Sequence, residues 1–212
     1  MRLTKESVCS LIVVVFHLVG FIGFSIPQLV PVFKQLVPGH LLLMLLLLLL
    51  SHRDRNGPFG VFLLVVYLAG YFIEFIGVHT GMIFGQYFYK TTLGYKVAEI
   101  PLMIGVNWVL VIYSAGAFIY HLGLRNKLVS TIISAALVTL MDVLIEPVAI
   151  RFDYWDWVGQ SVPLQNYLAW FLFSLVVSAL FFYLNFEKRN PTGAVLFVVQ
   201  FLFFIALNVK AA

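Results

Sequence analysis

The chain has 212 residues, 62% of them hydrophobic and only 10% charged, with a formal net charge of +4. Soluble domains are nearer a quarter charged, so these numbers exclude a soluble globular enzyme and predict an integral membrane protein. In such a protein a small basic excess sets topology and does not imply nucleic acid binding. The single cysteine, Cys9, excludes an internal disulfide and a cysteine-based metal site.

The N-terminal stretch MRLTKESVCS places basic residues before an apolar run, as a signal peptide does. The run continues to Ile26 without a small-residue cleavage site, which predicts a retained first helix. Spanning a bilayer takes about 20 apolar residues. On that criterion the spans are Val8–Val30, Val37–Leu50, Phe59–Ile76, Pro101–Tyr120, Leu128–Ile145, Leu164–Leu184 and Ala194–Val209. The second, GHLLLMLLLLLL, is short. No internal repeat or soluble segment interrupts the series, so the expected fold is an all-α integral membrane bundle of about seven helices, with residues 1–212 forming one polytopic domain.

The basic residues orient it. Arg2, Lys5, Arg53, Arg55, Arg125, Lys127, Lys188 and Arg189 fall on the N-terminal side, against Lys34, Lys90, Lys96, Arg151 and Lys210 on the other. The positive-inside rule then predicts a cytoplasmic N-terminus in a cell inner membrane.

Ionisable residues within spans are costly and are functional candidates by default. Glu74 lies near the end of span three, and His79 in the loop that follows. Asn107 begins span four, Asp142 and Glu146 lie near the end of span five, and Gln165 and Asn166 begin span six. With seven spans, all fall in the half of the bundle opposite the N-terminus. Asp142 and Glu146 are four apart and share a helix face; Pro147 is expected to end or kink that helix. Two adjacent carboxyls in low dielectric do not both stay charged easily, so one is expected to hold a proton near neutral pH. The plain alternative is that the acids pair with Arg151, His17 or backbone and hold helices together, and that Asn107, Gln165 and Asn166 are interhelical glue.

Aromatics make up 17% of the chain, 21 of them Phe. Most are expected to face lipid or pack between helices; an apolar, polarisable ligand is the other use for them. RFDYWDW, residues 151 to 157, reads most simply as an interfacial aromatic belt, with lining a site mouth as the alternative. Several chemistries are set aside. The last span lacks the lysine of a retinal Schiff base, the five histidines (17, 40, 52, 79 and 121) form no histidine box, and no phosphate loop or nucleophile elbow occurs.

The blocks EFIGVHTGMIFGQYFY, LGYKVAEIPLMIGVNW, MDVLIEPVA and W-x-W followed by VPLQNYLAW stand in this order between about Gly70 and Trp170. They resemble the membrane carotenoid-biosynthesis proteins, a family that includes the CruF-type carotenoid 1,2-hydratases and bisanhydrobacterioruberin hydratase. The first block is the most specific. Where this chain has Glu146-Pro147 the family commonly reads Asp-Pro, so the carboxylate is kept and its length differs.

The resemblance implies a hydro-lyase that adds water to the terminal double bond of an acyclic carotenoid, giving a tertiary 1-hydroxy end. The substrates implied are γ-carotene-like, lycopene-like or similar polyenes, with water as co-substrate, membrane lipid around the protein and no redox cofactor; the scattered histidines and single cysteine argue separately against a metal. A carboxylic acid kept neutral by burial suits the protonation, and a π-face stabilises the tertiary cation that results. Asp142 or Glu146 is the expected proton donor, with Glu74 and His79 positioning or deprotonating water. Trp108, Tyr113, Trp155 and Trp170 are candidates for stabilising the cation or lining the groove, with Asn107, Gln165 and Asn166 beside them. Competing readings are a proton-initiated carotenoid cyclase or isomerase using the same acid, a small proton-coupled transporter or channel, and a scaffold that gathers other carotenoid enzymes. A transport path should place polar groups at several depths, whereas the sequence gathers them at one end.

Overall fold

A computed structural model describes residues 4–159 and 161–210; Arg2, counted above for topology, lies outside them. Seven helices among these residues are long and apolar enough to cross a membrane. They are α1 Lys5–Ser25, α2 Val30–Ser51, α3 Gly57–Thr80, α4 Leu102–His121, α5 Lys127–Arg151, α6 Leu164–Tyr183 and α7 Pro191–Val209. In hydrocarbon the backbone has no other partner, so each apolar run satisfies its own hydrogen bonds as helix.

The odd-numbered helices start at polar caps. Thr4 accepts from the Ser7 N–H, and Asn56, Asn126 and Asn190 accept from the N–H groups of Phe59, Val129 and Gly193. Pro58 and Pro191 sit in the first turns of α3 and α7, where the missing N–H costs nothing. Helix α4 is the hub: 14 of its 20 residues are buried, and it packs against α2, α3, α5, α6 and α7. Small residues such as Ser114, Ala115, Gly116 and Ala117 let its neighbours approach closely.

Three expectations change. Helix α2 begins at Val30, well before Val37. Lys34 broke the apolar pattern there, but its ammonium is paired with Asp153, so the charge does not end the helix. Helix α5 runs on past Pro147 to Arg151. It is braced by α7, where Asn208 Nδ2 donates to the Leu144 carbonyl and Arg151 donates to the Leu207 carbonyl. His79 lies in the last turn of α3, not in the loop.

The two long connections at the end opposite the N-terminus are not plain loops. Strand β1 (Tyr87–Tyr89) pairs antiparallel with β4 (Trp155–Trp157) in the register Tyr87↔Trp157, Phe88↔Asp156 and Tyr89↔Trp155. Strands β2 (Lys96–Val97) and β3 (Ile100–Pro101) make a second, shorter pair. Side chains alternate across a strand. Tyr87, Tyr89, Trp155 and Trp157 therefore turn inward and are buried. Outside, Lys90 pairs with Asp156 at 2.8 Å and with Asp153 at 3.3 Å, fastening the ribbon beside α2.

Candidate active site

The aromatic ribbon lies against the carboxylates of α3 and α5. Glu74 is buried and accepts three hydrogen bonds: from the Tyr87 hydroxyl (2.5 Å) and the Tyr89 hydroxyl (2.7 Å) to Oε2, and from Trp108 Nε1 (3.1 Å) to Oε1. Glu146 Oε2 accepts from Trp155 Nε1 (3.0 Å) and Trp157 Nε1 (2.9 Å). Asn166, at the start of α6, bridges the α5 pair: its Nδ2 is 2.8 Å from Asp142 Oδ2 and 3.4 Å from Glu146 Oε1. The Tyr87 and Trp157 rings lie 5.1 Å apart, so the two donor sets adjoin. Trp170 stacks on Trp108 at 4.1 Å. All four tryptophans of the chain thus gather here.

One atom stands out. Asp142 is 0% exposed, yet its Oδ1 has no hydrogen-bond partner among the described residues. Buried polar atoms are rarely left so. No Lys, Arg or His pairs with any of the three acids in the described residues. The expected alternative of ion pairing to Arg151 or His17 is therefore not what the fold does: Arg151 donates to the Leu207 carbonyl, and His17 Nδ1 to the Val13 carbonyl. Every donor on these carboxyls is neutral.

Local structure explains the convergence. Gly81 closes α3 with φ of 65°, a conformation glycine adopts freely, and turns the chain back toward its own helix. At Gly77 a Cβ would lie 2.9 Å from the Tyr87 hydroxyl oxygen and 2.7 Å from the Phe84 ring. The bare backbone of Gly77 is what lets Tyr87 reach Glu74. The phenols of Tyr87 and Tyr89 are pushed well above their ordinary value, first by burial and then by the neighbouring Glu74, and stay as O–H donors.

The structure brings together Glu74, Asp142, Glu146, Trp108, Trp155, Asn166 and Trp170. It leaves out His79, whose exposed ring bonds to the Phe75 carbonyl of its own helix at 2.8 Å. Five residues beyond Glu74, it points to another side of α3. Gln165 is also exposed and ties the Met82 and Ile83 carbonyls to α6.

Tyr113 belongs elsewhere. Its hydroxyl meets His52 Nδ1 (2.7 Å) and Asn190 Nδ2 (2.9 Å) in a second polar group near the N-terminal side. Polar side chains are therefore not confined to one end of the bundle. Tyr87, Tyr89 and Trp157 are the members that sequence reasoning missed. The alternations Y-x-Y and W-x-W were the available signal, since a period of two marks strands. RFDYWDW is accordingly not a belt facing the interface: its two tryptophans face inward onto Glu146.

Asn107 lines a cavity of about 310 Å³ beside this cluster. Met141, Ile145 and Trp155 form the wall nearest the acids, and Phe16, Val19 and Leu36 line the cavity while also being exposed on the outer surface of α1 and α2. The cavity is thus bordered by exposed apolar residues of α1 and α2.

These features define a class: a polytopic membrane protein with a buried carboxylate cluster, walled by aromatic donors, next to an apolar chamber. The chain belongs to the carotenoid biosynthesis protein family, whose profile it matches over residues 36–212. It is 30% identical over 145 residues, 65% of its length, to the bisanhydrobacterioruberin hydratase of Haloarcula japonica. The chain spans about half, 48%, of that relative. No solved structure matches the chain.

Proposed function

We propose that the protein is a carotenoid hydratase, adding water to the terminal double bond of an acyclic ψ end to give a tertiary 1-hydroxy group. The observation that carries this reading is the bare Oδ1 of Asp142 in a cluster without a cation. Glu74 and Glu146 are surrounded by donors, which suit a carboxylate. Asp142 has one donor, on Oδ2, and a free oxygen that suits a proton.

In the reaction the Asp142 O–H bond breaks and the alkene π pair takes its proton at C2. The cation forms at tertiary C1, against the aromatic face of Trp155. Water attacks C1, its surplus proton passes to the carboxylate of Asp142 or Glu146, and the Asp142–Asn166–Glu146 unit thereby regains its starting proton count. The sum is one alkene plus one water giving one alcohol. Trp108 donates to Glu74 and is itself backed by the stacked Trp170. Similarity to a hydratase of the same family supports the reaction class.

Expression in a host that makes lycopene or γ-carotene tests the reading. The expected product is heavier than its precursor by one water. An isomer of unchanged mass would mean the cation loses a proton, as in a cyclase, and unaltered pigment would sink the assignment.

A further inference from the structure

The chamber is not wholly apolar. His17 of α1, His40 of α2 and Gln200 of α7 line it together, away from the carboxylate cluster. Their positions are fixed by packing. Along the parallel helices α1 and α7, Ser10 meets Thr192 and Gly20 lies against Phe203. His17 and Gln200 fall between these contacts at one level. The His40 ring stands edge-on to His17, with centroids 4.8 Å apart.

Two of these side chains have unused hydrogen-bonding capacity. Gln200 is only 7% exposed, and its Oε1 has no partner among the described residues. His17 is 5% exposed, and its Nδ1 lies 2.8 Å from the Val13 carbonyl. A carbonyl only accepts, so Nδ1 carries the hydrogen and, in the neutral ring, Nε2 is left with a lone pair. A free imidazole acceptor on His17 and the unpaired amide of Gln200 thus border a space lined mostly by apolar side chains. Unused polar groups in such a place forgo hydrogen bonds that an alcohol restores.

We infer that His17, His40 and Gln200 form a hydroxyl-binding subsite, which takes an O–H on the elongated apolar ligand itself. The subsite discriminates an oxygenated polyene from the plain hydrocarbon because the hydroxyl donates its one hydrogen to His17 Nε2 while its oxygen accepts from the Gln200 amide N–H. This rests on the hydratase reading only in taking the ligand to be a polyene. A water makes the same hydrogen bonds, and an alcohol that merely displaced one would gain nothing, so the two sources separate by relative affinity.

The experiment uses the purified protein in nanodiscs and two probes: an acyclic polyene saturated at both ends, and the same molecule with one terminal hydroxyl. Neither has the reactive alkene. Binding is read by quenching of tryptophan fluorescence. The wild type is expected to hold the alcohol about tenfold more tightly, the effect of one buried hydrogen bond. Gln200→Leu and His17→Phe are expected to lose that preference while binding the hydrocarbon as before, which also shows that they are folded. Equal binding of the two probes by the wild type overturns the subsite, as does a preference that survives in both variants. A protein that shows the preference but hydrates nothing in the pigment-making host keeps the subsite and loses the hydratase reading. One that hydrates without the preference does the reverse.

Discussion

Replacing Asp142 by Asn removes the titrating proton with almost no change in shape. Asn166 Nδ2 now donates, at 2.8 Å, to Oδ2 of Asp142, and the amide oxygen of the variant keeps that bond. The amide nitrogen takes the place of Oδ1, which has no partner to lose. A buried unpaired N–H costs about 1–3 kcal/mol, offset in part because Glu146 no longer has a second carboxyl beside it. The fold is therefore expected to survive with a modest loss of stability.

The reaction is not. Positioned proton transfer contributes about 10²–10⁴ in rate, or about 2.7–5.4 kcal/mol of barrier, and the proposed mechanism assigns that transfer to Asp142. Hydrated carotenoid per unit of folded protein should fall by at least 100-fold, measured by chromatography of pigment extracts with protein normalised by size exclusion in detergent. A variant that still hydrates within about threefold of wild type, while Glu146→Gln or Glu74→Gln does not, would refute the assignment of the proton to Asp142.

Trp157→Phe keeps a ring in the ribbon and deletes one N–H donor to Glu146. Losing one donor to a buried charged group costs about 1.5–3 kcal/mol, so turnover should drop by about 10- to 100-fold at near-normal expression; turnover unchanged would show that this donor does not tune the pair. Gly77→Ala sets a methyl 2.7 Å from the Phe84 ring and 2.9 Å from the Tyr87 hydroxyl oxygen. It should lower the thermal midpoint and activity together, and Tyr87→Phe should recover little of either, because Phe84 still clashes. Alkaline stability follows from the phenols of Tyr87 and Tyr89, which burial pushes well above their ordinary value of about 10. Above pH 10 the unfolded chain releases protons that the folded one keeps, so their contribution, complete below pH 10, is lost as pH rises further. The double variant Tyr87→Phe/Tyr89→Phe should show a flatter loss of thermal stability between pH 9 and 11 than the wild type.

The placement of Glu74, Asp142 and Asn166 at one end of the bundle was legible because span count and position along each span settle depth. Helix spacing also put Asp142 and Glu146 on one face. His79 and Gln165 share that depth, but depth does not decide direction: one lies on the outer side of α3, the other on the outer side of α6. Tyr113 failed for a different reason. It lies midway along α4, and only the position of His52 and Asn190 decides which polar group its hydroxyl joins.

Hydropathy is a sum over neighbours in the chain, so the order of apolar runs determined a seven-helix membrane protein, and the basic residues between them gave its expected orientation. The ribbon is another matter. Tyr87 meets Trp157, and Trp155 meets Glu146, only because two loops from different helix pairs close over the same end of the bundle. Hydrogen bonds act over about 3 Å and in fixed directions. Which donors satisfy Glu74 and Glu146, and that Oδ1 of Asp142 is left bare, were therefore decided by packing between segments far apart in sequence.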